Sequence, residues 1–119
     1  MNKFQISLSD LHFYSRHGVF AQEHTVGNEF TVDCSVTISA DNFIADDDNL
    51  DLTISYADIF EVIKAEMDSP KRLLETVAVR IANSLKQKFP EIESGHIEIV
   101  KLAPPIPGIV GKSSVKYFF

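Results

Sequence analysis

The sequence offers almost no sulfur chemistry. Cys34 is the one cysteine among its 119 residues, so no intrachain disulfide can form. It lies in an alternating apolar run, which predicts a small core residue rather than a reactive thiol. Because a chain without disulfides is typical of a reducing compartment, we expect the protein in the cytoplasm.

Long apolar runs and clusters of positive charge are also missing. No run approaches the ~18 apolar residues of a membrane span, and the N-terminus lacks the apolar core of a signal peptide. Lysine and arginine number 11 against 17 aspartates and glutamates, which gives a net charge of −6. The basic residues are scattered, whereas binding to a phosphate backbone needs clustered ones. We therefore expect neither a membrane nor a nucleic acid as partner.

Motifs for metals and phosphates are absent as well. The histidines His12, His17, His24 and His96 form neither a His-x-His nor a His-Glu-x-x-His pattern, and a second cysteine is lacking. No glycine-rich phosphate loop is present. We expect no metal site and no bound cofactor, and we expect His17, next to Gly18, to be structural.

The composition is that of an ordinary globular protein, with 45% apolar and 24% charged residues, and its length predicts one domain, residues 1–119. Residues 4–14 and 30–40 alternate between apolar and polar, which predicts two strands that each bury one face. The second strand has a wholly apolar face and a small, polar face that we expect to meet water. Residues 16–27 break the alternation and predict a loop.

Two helical patterns follow an acidic connection. Ser55-Tyr-Ala-Asp58 resembles a capping box, in which the serine oxygen accepts from a backbone N–H and the acid reaches back. Apolar residues at helical spacing continue as far as Met67. Ser69-Pro70 ends this helix and can start the next, since proline is tolerated in a first helical turn. A strong apolar stripe then runs from Leu73 to Phe89.

A third strand is predicted at about 95–102 and a last one at about 112–119, joined by a proline-stiffened turn at 103–108. The order β-β-α-α-β-β predicts an α+β fold with a four-stranded antiparallel sheet and two helices on one face. Open strand edges favour pairing with another chain, and the uncovered polar face suits a water-filled interior. A homo-oligomer that closes its sheets into a barrel satisfies both features.

Four polar side chains are candidates for a functional site. Glu75 flanks the apolar stripe, and it is either a carboxylate favoured by the helix dipole or an anchor for a ligand with paired N–H donors. Lys101 ends the third strand, where it either frays into solvent or is partly buried and able to move protons. Tyr56 is either a half-buried aromatic or a hydrogen-bonding phenol. Glu23 is either a surface acid or a binding residue of the loop.

Together these residues resemble the dihydroneopterin aldolase family of the folate pathway. The resemblance covers nearly the whole chain and rests on His17-Gly-Val19 with Glu23 and Gly27, on Ser55-Tyr56-Ala57, on Leu73-Leu74-Glu75-Thr76, and on Lys101 with Pro104-Pro-Ile-Pro-Gly108. Each motif is weak alone, but their shared order and spacing are specific. The resemblance implies the tunnelling fold, in which four subunits close their sheets into a barrel. Two such rings commonly stack into an octamer, and the sites lie between subunits.

The resemblance also implies a reaction and a role for each residue. A carbon–carbon lyase of this family cleaves 7,8-dihydroneopterin into 6-hydroxymethyl-7,8-dihydropterin and glycolaldehyde, with no metal and no Schiff base, because the pterin accepts the electrons. Lys101 is then the general acid/base, and Tyr56 of a neighbouring subunit is its hydrogen-bonding partner. Glu23 holds or polarises the substrate. Glu75 and the backbone of Leu74 bind the amino-pyrimidinone edge of the pterin.

One position departs from the family pattern. The family commonly has proline directly after the lysine, whereas this chain has Leu102. A related epimerase that acts on dihydroneopterin triphosphate tends to have Lys-Leu there, although the segment Pro104–Gly108 is typical of the aldolases. Three functions stay open: the aldolase, the dihydroneopterin (triphosphate) 2′-epimerase, and a non-catalytic pterin-binding oligomer.

Overall fold

The computed structural model describes all of residues 1–119. In chain order its elements are β1 (Lys3–Ser15), α1 (Ala21–Val26), β2 (Asn28–Ser39), α2 (Tyr56–Met67), α3 (Leu74–Lys88), β3 (Ile92–Lys101) and β4 (Ser113–Phe118). Two short 3-10 turns, Ala45–Asp47 and Leu50–Leu52, lie in the acidic connection between β2 and α2. The predicted order β-β-α-α-β-β is confirmed, with one short helix added. None of the helices combines the length and the apolarity that crossing a membrane requires.

The four strands form one antiparallel sheet in the order β1-β2-β3-β4. The pairing of β1 with β2 shifts by one residue between Leu8 and Leu11. Asp10 has a positive φ of 59° at this point, and its N–H donates to Oδ1 of Asp33 at 2.6 Å. Because of this bulge, Leu8 and Leu11 both pack against the core although they are three positions apart, a step that in a regular strand would place them on opposite faces.

The hydrophobic core lies on the sheet face that α2 and α3 cover. α2 packs along β1, and α3 packs against β3 and β4. The alternate residues of β2 are buried here, as predicted, and burial raises the pKa of the Cys34 thiol to about 12. The helices contribute the fully buried side chains Ile59, Ile63, Met67, Val77, Ala78, Ile81 and Leu85. Each large apolar side chain buried in this way contributes roughly 1.5–3 kcal/mol to the free energy of unfolding. Because these side chains hold α2 and α3 against the sheet, they also position the helix starts relative to the strand ends.

The opposite sheet face is uncovered and polar, as the alternation predicted. Ser35 on this face is nevertheless buried, because Gln5 Nε2 and Ser7 Oγ donate to its hydroxyl at 2.6 and 2.9 Å. The expectation that the whole polar face of β2 meets water is therefore wrong at Ser35. Small hydroxyl side chains on adjacent strands satisfy one another here without a covering helix.

Residues 16–27 are not a continuous loop. They contain α1, none of whose apolar residues is buried. A helix without a buried stripe has no apolar periodicity, so the sequence pattern could not reveal it. Its first turn is stabilised by Glu23, whose Oε2 accepts from the N–H of Phe20 at 3.0 Å.

The starts of the two long helices differ from the prediction in detail. α2 begins at Tyr56, but the side chain of Ser55 makes no capping hydrogen bond, so the predicted capping box is wrong. α3 begins at Leu74 rather than at Ser69-Pro70. The delay has a physical cause, because the backbone of Lys71 is hydrogen-bonded to the loop after β1 and not to a helical turn.

Candidate active site

A pocket of about 270 Å³ opens where the loop after β1, the start of α3, the end of β3 and the start of β4 meet. Four of the five predicted site residues line it, namely Glu23, Leu74, Glu75 and Lys101. The fold therefore brings together side chains from three separate elements. The fifth residue, Tyr56, is not part of the pocket wall.

Lys101 is the last residue of β3 and faces the core side of the sheet. It lies directly opposite Phe30 of β2, and its Nζ is 5.6 Å from the centre of the Phe30 ring. The side chain is only 9% exposed. Its stem packs among apolar residues while its ammonium group reaches the pocket. The alternative in which Lys101 frays into solvent is therefore wrong.

Glu23 is held at both carboxylate oxygens. Oε1 accepts from Lys101 Nζ at 2.7 Å, and Oε2 accepts from the N–H of Phe20 at 3.0 Å. With a side chain only 11% exposed, it is not a surface acid. Burial by itself would raise the pKa of Glu23. The hydrogen bonds from Lys101 and Phe20 and the lysine charge outweigh burial and lower that pKa below its usual value.

Gly18 lies against this carboxylate, and its lack of a side chain leaves the space that the carboxylate occupies. A Cβ atom at Gly18 would lie 2.3 Å from both Cδ and Oε2 of Glu23. The Gly18 carbonyl also accepts from Nε2 of His24 at 2.6 Å, which ties the loop to α1. Only a residue without a side chain fits here unless Glu23 moves.

Glu75 lies exposed in the first turn of α3 and takes part in none of the ion pairs of the chain. The first hydrogen bond of α3 runs from the N–H of Val77 to the carbonyl of Leu73 at 3.4 Å. The N–H groups of Leu74 and Glu75 thus precede the helical ladder and are available to a ligand. The helix dipole favours the carboxylate here, and the same position offers a ligand both acceptors and donors.

Tyr56 is the first residue of α2 and is 67% exposed. The alternative of a half-buried aromatic is therefore wrong. Within one chain its phenol does not reach the pocket wall. Any role for Tyr56 in this pocket requires a second subunit.

His17 is fully buried next to the pocket. Its Nδ1 accepts from the N–H of Lys71 at 3.1 Å, and its ring packs edge-on against Phe30 with centroids 5.5 Å apart. Burial lowers the pKa of His17 to about 4, and the charges of Lys101 and His24 add to the shift, so the ring is neutral. No group of three or more histidine, cysteine or carboxylate side chains is arranged to hold a metal ion. The sequence predicts only a structural role for His17, although His17-Gly-Val19 is one of the motifs that carry the family resemblance.

The segment after Lys101 is anchored by a side chain of β2. Nδ2 of Asn28 donates to the carbonyl of Ala103 at 2.6 Å. Pro104 and Pro105 then line the pocket, whereas Leu102 does not. The residue that departs from the family pattern therefore lies outside the wall of the site.

The chain is similar to known proteins over nearly its whole length. Residues 6–118 match the family model described as FolB, dihydroneopterin aldolase. The dihydroneopterin aldolase of Bacillus subtilis is 33% identical over 105 residues, which cover 87% of each chain. Dihydroneopterin aldolase 1 of Arabidopsis thaliana is 40% identical over 114 residues, which cover 95% of this chain and 75% of its own. The chain belongs to the dihydroneopterin aldolase family.

Solved structures of dihydroneopterin aldolases have the same fold. The Escherichia coli protein, in complex with neopterin, has a TM-score of 0.84 at 21% identity, with 98% of both chains covered. The Burkholderia thailendensis protein, bound to guanine, has a TM-score of 0.79 at 15% identity, with 98% of this chain and 90% of its own covered. At such identities the likeness concerns the fold. These structures confirm the predicted α+β architecture. The family model and the curated relatives confirm the resemblance to the dihydroneopterin aldolase family, while the role of each site residue stays a prediction.

Proposed function

We propose that this chain is a dihydroneopterin aldolase, a carbon–carbon lyase that cleaves 7,8-dihydroneopterin into 6-hydroxymethyl-7,8-dihydropterin and glycolaldehyde. The observation that carries the proposal is the buried Lys101–Glu23 pair in a pocket that also contains Glu75, in a chain of this family. We expect the enzyme to act in the cytoplasm, which the single reduced Cys34 supports.

The chemistry needs one positioned group that moves protons. The 2′-hydroxyl loses its proton, the C1′–C2′ bond breaks, and its electron pair moves into the C6=N5 imine of the ring. Glycolaldehyde leaves with C2′ and C3′, and the remaining enamine is protonated at C1′. Since the ring accepts the electron pair, we propose a reaction with neither a metal nor a Schiff base. A positioned acid–base group typically contributes about 10²–10⁴-fold.

Lys101 is the residue that we assign to these proton transfers. Its Nζ reaches the pocket, and Glu23 fixes its position at 2.7 Å. An ionised carboxylate has about four lone-pair sites, so Glu23 can accept from Lys101 and still accept from a substrate hydroxyl. In this pair Lys101 would transfer the proton, and Glu23 would accept a hydrogen bond from a fixed position. This geometry supports a role in the reacting part of the substrate rather than in pterin recognition.

Glu75 and Leu74 are the residues that we assign to pterin binding. The amino-pyrimidinone edge of a pterin presents adjacent N–H donors, which a carboxylate can accept in a bidentate manner. Glu75 is free of other ion pairs, and the N–H of Leu74 precedes the helical ladder. A ring bound here would extend its side chain into the same pocket as Lys101.

Tyr56 and the assembly form a further part of the proposal. We infer that subunits join into a ring of four, with two rings stacked into an octamer, and that Tyr56 of one subunit completes the pocket of its neighbour. The exposed phenol supports this, as do apolar side chains left uncovered around the pocket mouth, Val19, Phe20, Leu73 and Ile106. Light scattering tests the assembly, and a monomer at working concentration would refute it.

Subunit mixing tests whether the site is shared between subunits. Lys101→Ala and Tyr56→Phe are prepared separately, unfolded together and refolded. If each pocket takes its lysine and its tyrosine from different chains, the mixture regains a fraction of wild-type activity that neither variant has alone. A mixture as inactive as its parents contradicts the shared site.

The 2′-epimerase is the second candidate, and Leu102 after Lys101 is the observation that favours it. One assay separates the functions. Purified protein is incubated with 7,8-dihydroneopterin, and the products are resolved by chromatography. Release of glycolaldehyde supports the aldolase, formation of the C2′ epimer alone supports the epimerase, and tight pterin binding without turnover supports a non-catalytic oligomer.

A further inference from the structure

His17 connects the two halves of the pocket. One half is the Lys101–Glu23 pair, and the other is the start of α3 with Glu75. The N–H of Lys71 donates to His17 Nδ1 at 3.1 Å, and the carbonyl of the same residue accepts from the next N–H of the loop, that of Gly18, at 2.9 Å. These are the only hydrogen bonds between residues 16–20 and residues 69–73.

The position of Lys71 makes this link consequential. It lies three residues before Leu74, the first residue of α3, on a segment without secondary structure of its own. A shift of Lys71 therefore passes directly to the first turn of α3 and to Glu75. At the other end of the link, Gly18 contacts Glu23 so closely that a Cβ atom would collide with its carboxylate.

The chemistry of the link fixes the state of the ring. A backbone N–H can only donate, so Nδ1 of His17 must be the acceptor and the ring proton is on Nε2. The ring rests edge-on against Phe30, with centroids 5.5 Å apart, and Lys101 Nζ lies 5.6 Å from the centre of the same Phe30 ring. His17 and Lys101 thus share one aromatic support, and a displaced histidine would disturb both halves.

We propose that His17 is a positioning residue of the aldolase site, and that its Nδ1 holds the start of α3 at the working distance from the Lys101–Glu23 pair. This inference rests on the proposed function, because it specifies what holds the two halves of the same pocket at a fixed distance. His17 acts through Lys71 and needs no contact with substrate. Misplacement of a reacting group by about 1 Å can cost about 10²-fold in rate, so a single hydrogen bond at this point can have a large kinetic effect.

Two polar variants separate the acceptor from the volume of the side chain. His17→Asn places its amide oxygen where Nδ1 was, although it is the smaller residue. His17→Gln is closer to histidine in volume, but its amide group reaches toward the position of Nε2. A role in packing alone predicts that glutamine is the better substitute, since a smaller residue leaves a cavity. The proposed role predicts the reverse. His12→Asn, at an exposed histidine of the uncovered face, is the control.

The readouts are kcat and KM for 7,8-dihydroneopterin, and hydrogen exchange of the peptide that covers residues 69–75. We expect His17→Asn to keep kcat/KM within about threefold of wild type and to keep slow exchange. We expect His17→Gln to lose about 10²-fold in kcat/KM while that peptide exchanges faster. Glutamine equal to or better than asparagine, or full activity in both variants, would overturn the proposal. If His17→Gln does not fold, His17→Leu takes its place, because leucine fills the site without a hydrogen-bond acceptor. Loss of kcat/KM in His17→Leu but not in His17→Asn supports the role, and equal activity of the two contradicts it.

The wild type distinguishes failure of this inference from failure of the proposed function. If the wild type releases no glycolaldehyde, the aldolase assignment fails by itself. Calorimetric binding of 6-hydroxymethyl-7,8-dihydropterin then replaces turnover as the readout for the variants. Weaker binding in His17→Gln than in His17→Asn still supports the positioning role, and equal binding contradicts it.

Discussion

Lys101 and Glu23 form a buried ion pair across 78 positions of sequence, with Nζ 2.7 Å from Oε1. Burying two charges costs several kcal/mol, and their attraction offsets this only while both partners are present. An apolar pair of similar volume is often as stable, so the ion pair has no obvious value for stability alone. Because both residues line the pocket, we propose that the pair serves the chemistry of the site rather than its stability.

Lys101→Ala should abolish most of the turnover. Loss of the acid–base group is expected to lower kcat by about 10²–10⁴-fold, while the affinity for 6-hydroxymethyl-7,8-dihydropterin changes little. The variant also leaves Glu23 unpaired, so Lys101→Ala/Glu23→Gln is measured beside it to separate instability from lost chemistry. Lys116→Ala, at an exposed lysine of β4, is the matched control. Near-normal kcat in Lys101→Ala would remove the role assigned to it.

Glu75→Ala should weaken pterin binding more than it lowers kcat. Hydrogen bonds to a charged group contribute roughly 1.5–3 kcal/mol each, so the dissociation constant should rise by about tenfold or more. Titration calorimetry with 6-hydroxymethyl-7,8-dihydropterin measures it. Glu61→Ala, at an exposed glutamate of α2, should bind as wild type does. Unchanged affinity in Glu75→Ala would count against the anchor role.

Gly18→Ala should damage the site, whereas Gly108→Ala should not. A Cβ atom at Gly18 meets Glu23 at 2.3 Å, while one at Gly108 meets nothing within 4 Å. Overpacking of this kind costs about 1–3 kcal/mol, and relief requires the carboxylate to leave Lys101. We therefore expect lower stability in urea and lower kcat for the first variant. Equal behaviour of both variants would show that Glu23 can relocate without consequence.

The stability of the protein should fall as the pH is lowered from about 6.5 toward 4. Burial lowers the pKa of His17 to about 4 from an ordinary value of 6.5, so below 6.5 the unfolded chain binds a proton that the folded chain does not. The loss is on the order of 3 kcal/mol in total, and it is complete once the pH has passed below the folded pKa. Urea unfolding at several pH values and one fixed protein concentration measures it. The free energy of unfolding of His17→Asn should depend less on pH than that of the wild type. The lowered pKa of Glu23 acts in the same direction, but only at more acidic pH, below about 4.5.

The strands and the long helices could be predicted from the sequence because each buries one face. Period-two alternation marks β2, and the apolar stripe marks α3, whose buried residues repeat at helical spacing. α1 could not be predicted, because it buries no apolar side chain and so has no apolar stripe. Local propensity predicts the start of α3 too early, at Ser69-Pro70, because a long-range hydrogen bond from Lys71 to His17 prevents a helical turn there.

The candidate site was predicted from motif order rather than from any single residue. The fate of Lys101 at a strand end depends on what lies opposite it, and Phe30 and Glu23 become its neighbours only in the folded sheet. The contact between His17 and Lys71 spans 54 positions and leaves no local signal. Tyr56 is predicted to act in a neighbouring subunit, which no local pattern in one chain can reveal.

β1 contains one residue more than the part of β2 with which it pairs, and the surplus is at Ser9–Asp10. Deleting one residue there would turn the step from Leu8 to Leu11 into that of a regular strand and leave every side chain on its present face. The same deletion elsewhere in β1 would transfer the side chains on one side of it from core to solvent. A one-residue deletion in this strand should therefore be tolerated at Ser9–Asp10 and at no other position of β1.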